Sequence, residues 1–208
     1  MRTHLYSPKI SAFTRVELIA ITGGIALLAI VSIIFLARKA DRPQRVTCEN
    51  NVKQLLGTFA AYGQDAGSFP WAARRDAATN ADWIHWQGDR FLTNSAIAPY
   101  ATNFSARILQ CPAGGGLRYR EYPFSYSMNA HLEKLVPGTL ENKSALILLY
   151  EEANPNDGAC ASGEPSDPLT KRHVDKSMAG FVDGHVELVI ETLATMPKRW
   201  QPIVKETK

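Results

Sequence analysis

Hydrophobic and polar positions follow several different rhythms along this chain, and each rhythm predicts a different element. Near the N-terminus there is no rhythm. From Leu18 to Ala37 no charged residue occurs, and twelve of these twenty positions are Leu, Ile, Val or Phe. At ~1.5 Å per residue such a helix spans ~30 Å, the thickness of a bilayer's hydrocarbon layer. A core helix of a soluble domain would carry a polar stripe, and this stretch has none. A cleaved secretory signal would have a shorter apolar run, of about 7–15 residues, followed directly by a small-x-small site. The stretch therefore predicts one transmembrane helix.

From Val46 to Tyr62 the rhythm becomes helical. Val52, Leu55, Leu56, Phe59 and Tyr62 recur at steps of three and four and form one apolar stripe. The membrane helix is expected to continue into this stretch, with Pro43 either kinking it or marking its emergence from the bilayer. It should end between Gly63 and Gly67, ahead of Ser68-Phe69-Pro70. Later the period shortens to two. Tyr119 to Ser127 alternates like a strand, and Pro123 makes it an edge or irregular one. Ser144 to Glu151 is an unbroken apolar run of strand length, expected at the centre of a sheet. Asn154 to Pro168 has no large apolar residue and reads as a surface loop. Met178 to Ile190 reads as a hairpin around Asp183-Gly184, with glycine supplying the positive φ of a type I′ turn. Residues 71–107 show no period. They hold Trp71, Trp83, Trp86, Phe91, Tyr100 and Phe104, which suit either a small domain's core or a ligand-stacking platform. The tail from Pro197, with Trp200 and Pro202, either wraps the domain or frays. The sum is an α+β chain: a long N-terminal helix packed on a small antiparallel sheet.

The start of the apolar run is distinctive. Phe13-Thr14-Arg15-Val16-Glu17-Leu18 follows a short polar leader, and Glu17 is the fifth residue counted from Phe13. This resembles the N-terminus of type IV prepilins and type II secretion pseudopilins. The resemblance implies that a prepilin peptidase cuts between Ala12 and Phe13 and N-methylates Phe13. Two positions depart from the family pattern: Ala12 stands where Gly is usual, and Arg15 where Leu is usual. Further landmarks follow in order. They are Cys48-Glu49-Asn50-Asn51-Val52-Lys53-Gln54-Leu55, Gly67-Ser68-Phe69-Pro70, Ile108-Leu109-Gln110-Cys111-Pro112 and Tyr126-Ser127-Met128-Asn129. Last comes His173, nine residues, and Asp183-Gly184. Together they resemble the pseudopilin-like proteins with a late H-x9-DG motif common in planctomycetes and verrucomicrobia. The implied fold is pilin-like. The implied layout is a leader (1–12), a helix (13–66, transmembrane over 18–37) and a globular domain (67–208). The implied partners are the prepilin peptidase, other pilin subunits and membrane lipid. The implied location is the bacterial inner membrane, N-terminus cytoplasmic and C-terminal domain periplasmic.

Glu17 also carries a physical argument. A carboxylate within a membrane helix is costly and is usually paired. The new α-amino group of a processed Phe13 in a neighbouring subunit would be a suitable partner and would set filament register. Alternatively Glu17 sits at the headgroup boundary and pairs with Arg15 or water.

Charge adds little. The formal charge is +3, of which Arg2 and Lys9 in the leader contribute +2. No net basic field favours nucleic acid. Basic residues flank the apolar run on both sides (Arg2, Lys9 and Arg15 before it; Arg38, Lys39, Arg42 and Arg45 after it), so the positive-inside rule does not orient the chain.

Candidate chemistry is sparse. Cys48, Cys111 and Cys160 show no CxxC and no histidine at zinc-finger spacing, which argues against a zinc site. In an oxidising compartment one disulfide can form, and the better-patterned surroundings favour Cys48 with Cys111. His173, Asp175, Asp183 and His185, with Glu151 and Glu152 across the sheet, form a conceivable catalytic or metal group. Asp183, however, suits a turn, and His173 could lock the hairpin by a hydrogen bond to its backbone. No nucleophile elbow, phosphate loop or HExxH occurs. Asp157, Glu164, Asp167 and Asp175 offer hard oxygen donors for calcium, at no recognisable spacing. The expectation is a non-enzymatic filament subunit without an assigned cofactor. The alternatives are an uncleaved, membrane-tethered periplasmic binding protein, for glycans or another ligand, and a membrane-anchored hydrolase.

Overall fold

The computed structural model describes residues 14–114, 124–161, 167–190, 192 and 196–205. The leader, Phe13 and the Tyr119–Pro123 part of the expected strand lie outside these residues. Helix α1 covers Arg15–Ala66 and contains Pro43, whose carbonyl accepts the Thr47 hydroxyl at 3.0 Å. The helix ends where Gly67 takes φ +74°, the left-handed conformation that closes a helix and that glycine adopts without a Cβ penalty.

The chain divides into two compact units, one up to Ala40 and one over Asp41–Lys208. In the first, Arg15–Leu36 has a mean hydropathy of 2.7 over its most apolar window, and none of that window is buried. Large apolar side chains are exposed on every side, among them Ile19, Leu28, Ile33 and Leu36. By length and composition this segment can cross a membrane, as its unbroken apolar run predicts.

In the second unit the helical rhythm has the expected consequence. Cys48, Val52, Leu55, Leu56 and Phe59 are all buried. They face a five-stranded sheet built from β1 (Tyr126–Asn129), β2 (Ile147–Glu151), β3 (Ala159–Cys160), β4 (Ser177–Phe181) and β5 (Val186–Val189), in the order β3-β1-β2-β4-β5. Strand β2 is central, as its apolar run predicts. The sheet is mixed, which corrects the expectation of a purely antiparallel one. The β1–β2, β2–β4 and β4–β5 pairs are antiparallel, but β3 pairs parallel to β1. The reason is topological. The chain reverses after β2, crosses to the free edge of β1, and so runs in the direction of β1. The loop around β3 is thus partly drawn into the sheet.

The helix meets the sheet closely at Gly180. A Cβ there would lie 2.6 Å from Val52 Cγ1 and 2.9 Å from a Leu56 methyl. On the sheet's other face Ile147, Tyr150, Phe181, Val189 and Trp200 form a second apolar cluster. Trp200 packs edge-on against Tyr150 at 5.2 Å, and its carbonyl accepts the Asn129 side-chain amide. The tail therefore wraps the domain.

The 178–190 hairpin forms with a different turn from the expected type I′. The Gly184 amide donates to Phe181 O, the Phe181 amide donates to His185 O, and within the turn only Gly184 has positive φ. This is a type I turn closed by a left-handed glycine. Of the aromatics between 71 and 107, Trp83 is fully buried with its indole N–H on Gly158 O, and Trp86 donates to Ala73 O. These two rings serve the core. Phe91 is exposed.

Gly180→Ala should destabilise the domain by about 1–3 kcal/mol, because the added methyl has no room between α1 and β4. Thermal unfolding of the detergent-solubilised variant, followed by circular dichroism, tests this; an unchanged midpoint would contradict the close packing.

Candidate functional site

Four buried side chains from four separate parts of the sequence converge between α1 and the sheet: Cys48, Cys111, Glu151 and His173. One donor atom from each lies within 4.8 Å of all the others. Each is delivered by a local structural reason. Cys48 heads the buried stripe of α1, one turn before Val52. Glu151 closes β2, and its register partner on β1 is Tyr126, so both side chains project from the same face of the sheet. The Tyr126 hydroxyl accordingly lies 3.1 Å from Cys48 Sγ.

Cys111 sits on a loop that α1 itself pins down. The Asn51 amide, on the same helix, donates to Arg107 O and to Gln110 O at 3.2 and 3.0 Å. The Cys111 amide in turn donates to Ser125 Oγ at 3.0 Å. The run Cys48-Glu49-Asn50-Asn51 thus combines a cluster residue with the residue that holds Cys111 beside it. His173 lies in the turn before β4, where Val174 and Asp175 take φ of 53° and 62°. A β-branched residue there is strained, and such strain persists where its surroundings over-determine it. The His173 amide donates to Lys176 O, closing the turn, and the ring is presented to the cluster.

Within the cluster, His173 Nε2 lies 3.1 Å from Glu151 Oε2 and 3.4 Å from Cys111 Sγ. Glu151 Oε2 also accepts the Met178 amide at 3.0 Å. Glu151 Oε1 has no hydrogen-bond partner among the described residues, and Arg172 Nη1 faces it at 3.7 Å. Burial opposes a charge on His173, but hydrogen bonds to Cys111 and Glu151, and their charges, outweigh it and carry its pKa up to about 10. Burial would likewise raise Glu151, yet the hydrogen bond and charge of His173 hold it below the usual carboxylate value. The hydrogen bond with Cys48 lowers the Cys111 pKa, against burial and with help from His173. Cys48, bonded to Cys111 and buried, is raised far above the ordinary thiol range. These shifts make Cys111 the more acidic of the two thiols and leave His173 and Glu151 as an ion pair.

The residues singled out in the sequence are redistributed. Cys48 and Cys111 come together, but the three cysteines are free thiols and no disulfide joins the pair. His173 directs Nε2 at Cys111 and Glu151, whereas Asp183 serves its own turn, accepting the His185 amide and contacting its ring. His173 and Asp183 therefore belong to two different places, and Gly184 supplies the turn's left-handed residue. Glu152, next to Glu151, is buried with Oε2 on Ser127 Oγ at 2.6 Å. Asp157 and Asp167 line one cleft, where their oxygens accept the backbone amides of Ala159, Arg75 and Ala161 and the Asn156 side chain. Glu164 lies outside the described residues. The expectation against zinc rested on local spacing, and spacing is uninformative when the donors lie on four separate segments.

At the N-terminus, Thr14 and Glu17 form a capping box. The Thr14 amide and hydroxyl donate to Glu17 Oε2 at 2.8 and 2.9 Å, and the Glu17 amide donates back to Thr14 Oγ1 at 3.2 Å. The sequence suggested subunit pairing or a contact with Arg15 or water for Glu17, and did not suggest this cap. Ala12 and Phe13 lie outside the described residues.

Glu152 generates a pH prediction. Burial, with Asp167 and Asp157 nearby and only Ser127 and Arg172 opposing, pushes its pKa up to about 9 from an ordinary 4.5. The folded state therefore holds a proton that the unfolded chain releases. The contribution to stability is full below pH 4.5 and is lost as pH rises to about 9. Glu152→Gln, a neutral isostere, should raise the unfolding midpoint at pH 8, and the gain should vanish at pH 4. Thermal melts of both proteins across this range decide it; a pH-independent difference would contradict a protonated Glu152.

No family model, no curated protein and no solved structure matches this chain.

Proposed function

We propose that this chain is a prepilin-like subunit of a type II secretion pseudopilus or type IV pilus-like filament, cut before Phe13 and N-methylated by a prepilin peptidase. Its function resides in assembly and not in turnover. The observation that carries the reading is the division of labour along α1. Its first part is apolar and exposed on all sides. Its later part buries one stripe under a sheet. An all-round apolar helix is stable in lipid or among identical helices, and a filament subunit needs both environments in turn. The capping box supports the reading as well. It keeps the Glu17 carboxylate hydrogen-bonded at the helix start. In a filament the carboxylate exchanges these bonds for the α-amino group of a neighbour. In this reading the leader stays on the cytoplasmic side of a bacterial inner membrane and the domain over Asp41–Lys208 is exported.

Two measurements test this. Intact mass and N-terminal sequencing of membrane-extracted protein should give a start at Phe13 bearing one methyl group. A start at Met1 would instead make the chain a permanently anchored protein and favour a tethered binder. The second compares Glu17→Gln with Glu17→Ala. Glutamine keeps the capping box but carries no charge. Both variants should insert in the membrane, and both should drop out of sheared or cross-linked filaments. Incorporation of the glutamine variant at the wild-type level would show that the carboxylate acts only as a helix cap.

A further inference from the structure

We infer that Cys48, Cys111, Glu151 and His173 form a structural zinc site. The argument begins with donor chemistry. Two thiolates, an imidazole and one carboxylate are a borderline-soft set that suits Zn²⁺ and does not suit Ca²⁺ or Mg²⁺, which take hard oxygen ligands. All four donors come from protein, so a tetrahedral ion is saturated, as in structural and not catalytic sites.

Geometry agrees. With metal–ligand bonds of about 2.0–2.3 Å, the edges of a tetrahedron measure about 3.3–3.8 Å. The His173 Nε2–Cys111 Sγ and His173 Nε2–Glu151 Oε2 separations are 3.4 and 3.1 Å, and no pair of donor atoms exceeds 4.8 Å. All four residues are buried.

The surroundings are those of a metal site. The Tyr126 hydroxyl lies 3.1 Å from Cys48 Sγ, and the Met178 amide donates to Glu151 Oε2. The backbone amide of Cys111 is held by Ser125. Outer contacts of this kind orient ligands and tune their basicity. Glu151 Oε1, without a hydrogen-bond partner among the described residues, faces the Arg172 guanidinium. The charges close: two thiolates and a carboxylate carry −3, zinc brings +2, and Arg172 answers the remaining −1. Binding displaces two protons, either from two thiols or from one thiol and the imidazolium, and nothing is oxidised or reduced.

The ion joins α1, the Cys111 loop, the end of β2 and the turn before β4 at a single point. Zinc therefore acts as a staple for the helix–sheet junction.

The test uses the full chain, purified in detergent without a polyhistidine tag and under argon. Elemental analysis should find one zinc per chain, and exchange with Co²⁺ should give the intense visible bands and thiolate charge-transfer absorption of a tetrahedral site. Cys111→Ser and His173→Gln should reduce zinc to background, whereas Cys160→Ser, on the other side of the sheet, should keep it. Tyr126→Phe should weaken zinc about 10–100-fold in chelator competition. Since ligand variants can fail to fold, the wild-type Co²⁺ spectrum decides independently. A reduced wild-type protein that binds neither zinc nor Co²⁺ overturns the inference. So does a Cys48–Cys111 disulfide in freshly isolated protein, shown by alkylation and mass spectrometry, or zinc retained by folded Cys111→Ser and His173→Gln.

Discussion

The contact between α1 and β4 at Gly180 is the constraint on which the domain depends. Val52 and Leu56 approach the strand so closely that no Cβ fits between them. This fixes both the height of the helix above the sheet and its register along it. Cys48 lies one turn earlier on the same stripe, and it therefore lands beside Tyr126 and Glu151, which share a face through the β1–β2 pairing. Asn51, on the neighbouring face, then reaches the Arg107 and Gln110 carbonyls and draws Cys111 in. One apolar contact thus positions two members of a polar cluster, strand pairing places Glu151, and the strained turn at Val174 supplies the fourth.

A polar cluster within an apolar core is expensive unless every group is answered. Isolated buried charges cost several kcal/mol each. Here two cysteine side chains, an imidazolium and a carboxylate answer one another, with Tyr126, Met178 and Arg172 around them. Each group's partner comes from a different segment, so the cluster ties the helix, the Cys111 loop, β2 and the turn before β4 to one another. Zinc in this place replaces two protons with one divalent ion, and the junction is stapled without a change in net charge.

The two ends of α1 place different demands on their carboxylates. Glu17 lies at the start of an exposed apolar segment, where hydrogen bonds to Thr14 make it tolerable to a membrane. Glu151 lies under the later part of the helix, where an imidazolium and a guanidinium do the same. Glu152, one residue on, emerges on the opposite face among Asp157 and Asp167 and keeps its proton instead. Adjacent residues on a strand point to opposite faces, and this alone separates an anion from a neutral acid.

Local pattern determined much of this protein. The uncharged run from Leu18 specifies an apolar helix, the three- and four-residue stripe after Val46 specifies the buried face of α1, and Ser144–Glu151 specifies the central strand. Each depends on neighbours in sequence and on burial, which one-dimensional periodicity reports. The parallel placement of β3 was not legible, because it depends on where the chain returns after β2. The hairpin was legible and its turn type was not, since Asp-Gly serves both type I′ and type I with a left-handed glycine. The cluster was legible only in pieces. Cys48 and Cys111 stood out as a thiol pair, His173 as a motif residue and Glu151 as one of two strand carboxylates. Their union spans 126 positions of the sequence. It exists because a helix, a pinned loop, a strand end and a strained turn meet at one point, and tertiary packing alone makes that point.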